Sequence, residues 1–169
     1  VSSITDAFSA YGVDPLTARR MFQVLANDGD PRAQCVYALM LSSGQGGGTD
    51  PTSSAHWFTQ AADQGHAVAC YSLASLYSEG RGVTRDPVRA FQGYTRAAEL
   101  GDRDALLMLG TLYARGEGVA ADASQALWFW RAAATRGHPV AMFCIGEAHV
   151  AGDGVPVDVA TAAEWYLLA

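Results

Sequence analysis

Four sets of residues recur along this 169-residue chain every 36 positions, in phase and without a gap. Gly29, Gly65, Gly101 and Gly137 form one set. Gly44, Gly80, Gly116 and Gly152 form a second, and Gly46, Gly82, Gly118 and Gly154 a third. Asp14, Asp50, Asp86, Asp122 and Asp158 keep the same step. A fixed period of about 20–50 residues marks a solenoid, in which each repeat buries its apolar face only against its neighbours.

The stretch Arg103 to His138 shows what one repeat encodes. Ala105, Leu106, Leu109, Leu112 and Tyr113 fall at helical spacing on one broad apolar stripe. Gly116-Glu117-Gly118-Val119 ends that helix with a tight reversal, because two nearby glycines permit positive φ. A second helix is expected over 123–135, with Ala126, Leu127, Trp130, Ala133 and Ala134 turned inward and Gly137 closing it. Asp14-Pro15, Asp50-Pro51 and Asp86-Pro87 read as an N-cap Asp followed by a first-turn Pro. The Asp carboxylate takes an orphan backbone N–H, and Pro has none to lose there. Asp122 and Asp158 keep the cap without the Pro. On this basis Asp86→Ala is expected to cost about 1 kcal/mol.

The predicted fold is therefore all-α: a solenoid of stacked antiparallel helix pairs with a right-handed superhelix. N-terminal capping helices with a half repeat occupy 1–30. Repeats follow at 31–66, 67–102, 103–138 and 139–169, the last truncated, in one continuous domain. Small residues set the helix spacing. Ala38, Ala74, Gly110 and Gly146 share one position on the first helices, and Phe58, Tyr94, Trp130 and Tyr166 face them from the second. Alternating small and large positions let helices interdigitate.

At these residues the chain resembles the SEL-1-like repeat family, α/α-solenoid relatives of the tetratricopeptide repeats. The pattern A-x-x-x-L-G-x-L-Y-x-x-G-x-G-V-x-x-D-x-x-x-A-x-x-W-x-x-A-A-x-x-G is nearly intact from Ala105 to Gly137. It is clear from Ala69 and from Ala33, and begins again at Ala141. Gly47 departs from it where other repeats have Val83, Val119 and Val155, which predicts a looser turn. Gly93 replaces an aromatic, and His149 replaces the Tyr of Tyr77 and Tyr113. The resemblance implies an adaptor that holds other proteins or peptides. A cysteine-rich branch of the family joins the two helices of each repeat by cysteine pairs; Cys35, Cys70 and Cys144 do not fit that pattern. Adjacent helix axes ~8–10 Å apart also work against a Cys35–Cys70 bridge. This leans towards a reducing compartment such as the cytoplasm, with the bacterial periplasm left open.

Composition narrows the partner. Half the residues are hydrophobic and 17% are charged, as in a folded chain. The net charge is −6 and no Lys/Arg run exists, so nucleic acid is not expected as a partner. Arg19-Arg20, the one basic doublet, reads as a solvated helix face. No stretch approaches the ~20 apolar residues that span a bilayer, so direct membrane insertion is not expected. The sequence begins at Val1 rather than Met, which leaves room for a removed leader.

No catalytic or cofactor constellation emerges, and neither a metal nor a cofactor is expected. His56, His66, His138 and His149 show no metal-ligand spacing. His66 and His138 read as exposed turn residues, and His149 as a half-buried, hydrogen-bonded core histidine. The run Gly44-Gln45-Gly46-Gly47-Gly48-Thr49 lacks the Lys-Ser/Thr pair of a phosphate loop and aligns with the turn of the other repeats. In Leu127-Trp128-Phe129-Trp130, phase places Phe129 and Trp130 in the core and leaves Trp128 exposed, a mild sign of binding.

First helices line the concave side of such stacks. Their free positions give the candidate partner-binding residues Arg32, Val36, Leu39, Ser72, Ser75, Glu79, Met108, Thr111, Arg115 and Glu147. Many related solenoids carry a peptide-clamping Asn in the row that here reads Val36, Ser72, Met108 and Cys144. The row either completes the core or floors a semi-apolar groove for a helix or an apolar segment. The expected function is a non-enzymatic protein-interaction adaptor or scaffold, acting through that concave surface or its open ends. A permanent subunit of a larger assembly is the alternative, and a hydrolase the remote one. The apolar run Trp165-Tyr166-Leu167-Leu168-Ala169 carries no polar outer face, so this edge is expected to continue or to be covered by another chain.

Overall fold

The computed structural model describes residues 3–169; Val1 and Ser2 of the N-terminal capping segment lie outside it. The described residues form ten helices and no strands. These are α1 (Ile4–Tyr11), α2 (Pro15–Asn27), α3 (Pro31–Ser43), α4 (Pro51–Asp63), α5 (Ala67–Glu79), α6 (Pro87–Glu99), α7 (Arg103–Arg115), α8 (Ala123–Ala134), α9 (Pro139–Ala151) and α10 (Val159–Leu168). They fall into two compact units, divided between Asp86 and Pro87. Within each, every helix packs on its neighbours in sequence, α1 to α5 in the first and α6 to α10 in the second.

The helices start where the aspartates place them. Asp50 accepts from the Ser53 amide at 3.0 Å, Asp122 from the Gln125 amide at 3.0 Å, and Asp158 from the Ala160 and Thr161 amides, both at 3.1 Å. The hydrogen bonds from Ser53, side chain and backbone, hold the Asp50 carboxyl below its ordinary range. Asp30 and Asp102, which the 36-residue Asp series omits, cap α3 and α7 in the same way. Asp102 accepts from the Asp104 amide at 2.9 Å and the Ala105 amide at 3.0 Å. Asp102→Ala is expected to lower stability by about 1 kcal/mol, read as a shifted midpoint with an unchanged slope in urea denaturation.

The first helices end on left-handed glycines, Gly44, Gly80, Gly116 and Gly152. The glycine two residues further on in each turn has a different task. A Cβ added at Gly118 would lie 2.0 Å from the Pro87 carbonyl oxygen, and one at Gly82 would lie 2.2 Å from that of Pro51. Each turn thus seats directly on the first residues of the second helix one repeat earlier. Neighbouring repeats lock there through backbone.

The cores are built largely of small residues. In the first unit Ala7, Ala18, Phe22, Ala26, Ala33, Tyr37, Met40 and Leu41 cluster without solvent contact or nearly so. In the second unit the cluster is Leu106, Leu127, Ala133, Ala134, Ala141, Ile145 and Ala148. Two expectations need correction. The turn at Gly47 is not loose: a Cβ there would meet Arg19 Nη1 at 2.6 Å, and Arg19 donates to the Gly48 carbonyl at 2.9 Å. Gly47 lacks a side chain because a guanidinium occupies the space. For the same reason Arg19 is half-buried rather than solvated, while Arg20 stays exposed.

Candidate functional site

The first helices α3 and α5 carry the candidate residues of the first unit. Arg32 is exposed and pairs with Asp30 at 3.2 Å. Val36 is half-buried and packs against the core, while Leu39 stays 40% exposed. Ser72 and Ser75 are half-buried. The Ser75 hydroxyl donates to Glu79 at 2.9 Å, and Glu79 pairs with Arg81 at 3.2 Å. Arg81 also donates to the Ser42 hydroxyl at 2.8 Å, which ties the α5–α6 turn to α3. Polar side chains on this face are thus largely engaged with one another, and Leu39 and Val68 are left as its open apolar surface.

In the second unit α7 and α9 repeat the arrangement. Met108 is half-buried, and the half-buried Thr111 returns its hydroxyl to the Leu107 carbonyl at 3.0 Å. Arg115 lies 3.9 Å from Glu117. Glu147 accepts the Tyr166 hydroxyl, and that hydrogen bond pushes the Tyr166 pKa up. Val140 and Phe143 add exposed apolar area to α9.

The histidines differ from expectation. His66 and His138 are not exposed turn residues but half-buried N-caps of α5 and α9. Burial lowers the His66 pKa, and Asp30 opposes this. Its Nδ1 accepts from the Ala69 amide at 3.4 Å. His138 Nε2 lies 3.4 Å from the Asp104 carboxylate. His149 is buried, and neither ring nitrogen has a hydrogen-bond partner. It fills an aromatic slot that offers packing but no acceptor. Cys35, Cys70 and Cys144 form no disulfide, and burial pushes the Cys35 thiol up to about 12, with Cys70 adding to it. Among the described residues no three His, Cys, Asp or Glu side chains converge in a metal-binding group, and no helix is long and apolar enough to cross a membrane.

Trp128 stands 61% exposed with its ring edge-on to Phe129 at 4.8 Å. Phe129 stacks in turn on Tyr113 at 5.5 Å, and both Phe129 and Trp130 are half-buried at the margin of the core. Beside Trp128 a cavity of about 550 Å³ opens between α6, α7 and α8, floored by Leu106 and Leu109. Of its lining residues the sequence marks Trp128 alone as a sign of binding, and none is among the ten candidate partner-binding positions of the first helices. Leu106 and Leu109 keep the apolar character of Cys70, Met142, Leu73 and Ile145 at the same repeat positions, where only Gln34 and Tyr37 depart, so beyond the exposed Trp128 the sequence carries no signal of this cavity.

The sequence profile of the Sel1 repeat matches residues 31–66, 67–102, 103–138 and 139–169. No curated protein matches the chain. Among solved structures, a Sel1 repeat protein from Oxalobacter formigenes is 29% identical, with a TM-score of 0.87 over 90% of this chain and 61% of its own. A protective antigen of uropathogenic Escherichia coli displaying an SLR fold is 31% identical, with a TM-score of 0.88 over 94% of this chain and 35% of its own. The chain therefore spans less than two thirds of either structure's length. Cysteine-rich protein B of Helicobacter pylori, 21% identical with a TM-score of 0.57 over 83% of this chain and 96% of its own, shares the fold.

Proposed function

The chain belongs to the Sel1 repeat family, and on that premise we propose that it is a non-enzymatic adaptor or scaffold that holds a peptide or protein on the outer face of its first helices. Sel1 repeat proteins generally mediate protein–protein interaction. One observation carries the choice of surface. Arg32, Ser75, Glu79, Thr111, Arg115 and Glu147 on the first helices all have polar partners, while Leu39, Val68 and Val140 remain 40%, 45% and 52% exposed. Exposed aliphatics framed by satisfied polar groups suit an apolar strip on a partner segment.

The double variant Leu39→Glu/Met108→Glu is expected to weaken partner binding at least tenfold, about 1.4 kcal/mol, with an unchanged circular dichroism spectrum. The partner is captured on the immobilised chain, identified by mass spectrometry and then titrated against both forms. Equal affinity would move the interaction to another surface.

A further inference from the structure

The second helices offer a different surface, and its repeat-by-repeat chemistry is uneven. Two repeats before the cavity, the first unit carries Gln34 for Leu106, Tyr37 for Leu109, His56 for Trp128 and Gln64 for Arg136. There the positions engage one another. The Gln34 amide donates to the Ala26 carbonyl at 3.2 Å, and the Gln64 amide donates to Gln34 Oε1 at 2.8 Å. Tyr37 packs edge-on against Trp57 at 5.7 Å. In the second unit leucines stand in place of Gln34 and Tyr37, and Arg136 stands in place of Gln64. The leucines reach less far and have no polar group to satisfy, and a cavity of about 550 Å³ stands over them. The histidine position becomes an exposed tryptophan at its lip.

We propose that the cavity between α6, α7 and α8 is a peptide-anchor site, taking one large apolar side chain from a partner segment with a basic residue on one side of it and an acidic residue on the other. This rests on the reading of the chain as a protein-interaction module and assigns it a second, separate surface. The volume lies within the ~300–1,000 Å³ of ligand pockets and exceeds what one aromatic side chain fills, so the flanking residues enter too. The floor is aliphatic, and Trp128 supplies the exposed aromatic face typical of an anchor pocket. Charge selects the occupant. The rim carries Glu99 at the end of α6 and Arg136 just after α8, one charge of each sign. A segment with both signs pairs with both. A fatty acid pairs with Arg136 but leaves the Glu99 carboxylate unpaired at the rim. A nucleic acid finds one lining cation, Arg136, with only Arg103 beside it, donating to the Arg136 carbonyl at 3.5 Å and paired with Asp104, on a chain of net charge −6.

The probes are two fluorescein-labelled decapeptides with a central Phe, one ordered Lys-Phe-Glu and the other Glu-Phe-Lys. Each is titrated into the whole chain by fluorescence polarisation. One order is expected to bind saturably, and at least tenfold more weakly when its Phe is Ala. Leu106→Gln/Leu109→Tyr, which installs the residues the chain itself carries at 34 and 37, is expected to weaken it at least tenfold. Trp128→Ala does the same from an exposed position where folding is not at stake. Glu99→Arg/Arg136→Glu is expected to reverse the preferred order. Leu39→Glu/Met108→Glu leaves this binding unchanged. Equal affinity for the wild type and both cavity variants overturns the proposal, as does an absence of saturable binding. So does displacement of the label by dodecanoate or single-stranded DNA at lower concentration than unlabelled peptide. Loss in the Leu39/Met108 variant alone overturns this site and leaves the first-helix surface standing; loss in the cavity variants alone upholds this site, and the first-helix surface is then judged by its own partner titration.

Discussion

Gly118→Ala is expected to cost about 3 kcal/mol or more, with a melting temperature ~6–12 °C lower. Two effects add. Gly118 sits at φ 73°, where a side chain costs ~1–2 kcal/mol of backbone strain. Its Cβ would also lie 2.0 Å from the Pro87 carbonyl oxygen and 2.5 Å from its carbon. Those atoms belong to the first turn of α6 and cannot rotate away, so relief requires the turn and helix to part. Forced overpacking adds ~1–3 kcal/mol. Gly101 provides the control. It too has positive φ, 94°, but nothing lies within 4 Å of an added Cβ. Gly101→Ala therefore carries the backbone strain alone, ~1–2 kcal/mol, and Gly101→Val somewhat more because it is β-branched. Urea denaturation of the two alanine variants ranks them. Equal losses would mean that the close approach at Gly118 contributes nothing.

That contrast marks where the sequence stops being legible. Both glycine series recur with the same 36-residue step, so both read as obligatory turns. Periodicity reports that a glycine is needed, not whether φ or a neighbour's backbone needs it. The same limit applies at Gly47. Its departure from the Val of other repeats is visible, but the cause lies 28 residues away in the side chain of Arg19. The caps were more accessible because an Asp one residue before a helix acts within its own turn. Asp50, Asp122 and Asp158 bond the amides that their spacing predicts.

The candidate site was legible to a lesser degree. Solvent-facing positions on the first helices follow from helical phase alone, so Leu39, Glu79, Arg115 and Glu147 emerge exposed as expected. How much of that face remains available to a partner depends on side-chain pairing between turns, such as Arg81 with Ser42 and Glu79, which phase cannot supply. Helical phase marks Trp128 as exposed but says nothing of the cavity beside it. A cavity is made by what neighbouring positions fail to fill, and Leu in place of Gln34 and Tyr37 reads in sequence as ordinary core.

The other large effect concerns a glycine inside a helix. Gly110 lies in α7, where replacing Gly by Ala ordinarily stabilises by ~0.5–1 kcal/mol. Here the sign is expected to reverse. An added Cβ would meet Trp130 Cδ1 at 2.4 Å and Nε1 at 2.5 Å, with the Ala126 carbonyl at 3.0 Å behind them. The indole lies flush against the glycine, and its ring nitrogen has no hydrogen-bond partner, so packing alone fixes it there. Gly110→Ala is expected to destabilise by about 2 kcal/mol, the upper-middle of the overpacking range. The first repeat shows the remedy, since the same two positions hold Ala38 and Phe58, both buried. Gly110→Ala combined with Trp130→Phe restores that pairing and removes the orphaned N–H. The double variant is expected within about 1 kcal/mol of wild type, which leaves a coupling of ~1–3 kcal/mol between the two sites. Gly146 under Tyr166, with a Cβ 2.5 Å from Cε1, should obey the same rule with the same sign. A double-mutant cycle in urea measures the coupling directly. If the two losses simply add, helix spacing is not set by matched small and large partners, and the alternation that first suggested an interdigitated stack has some other cause.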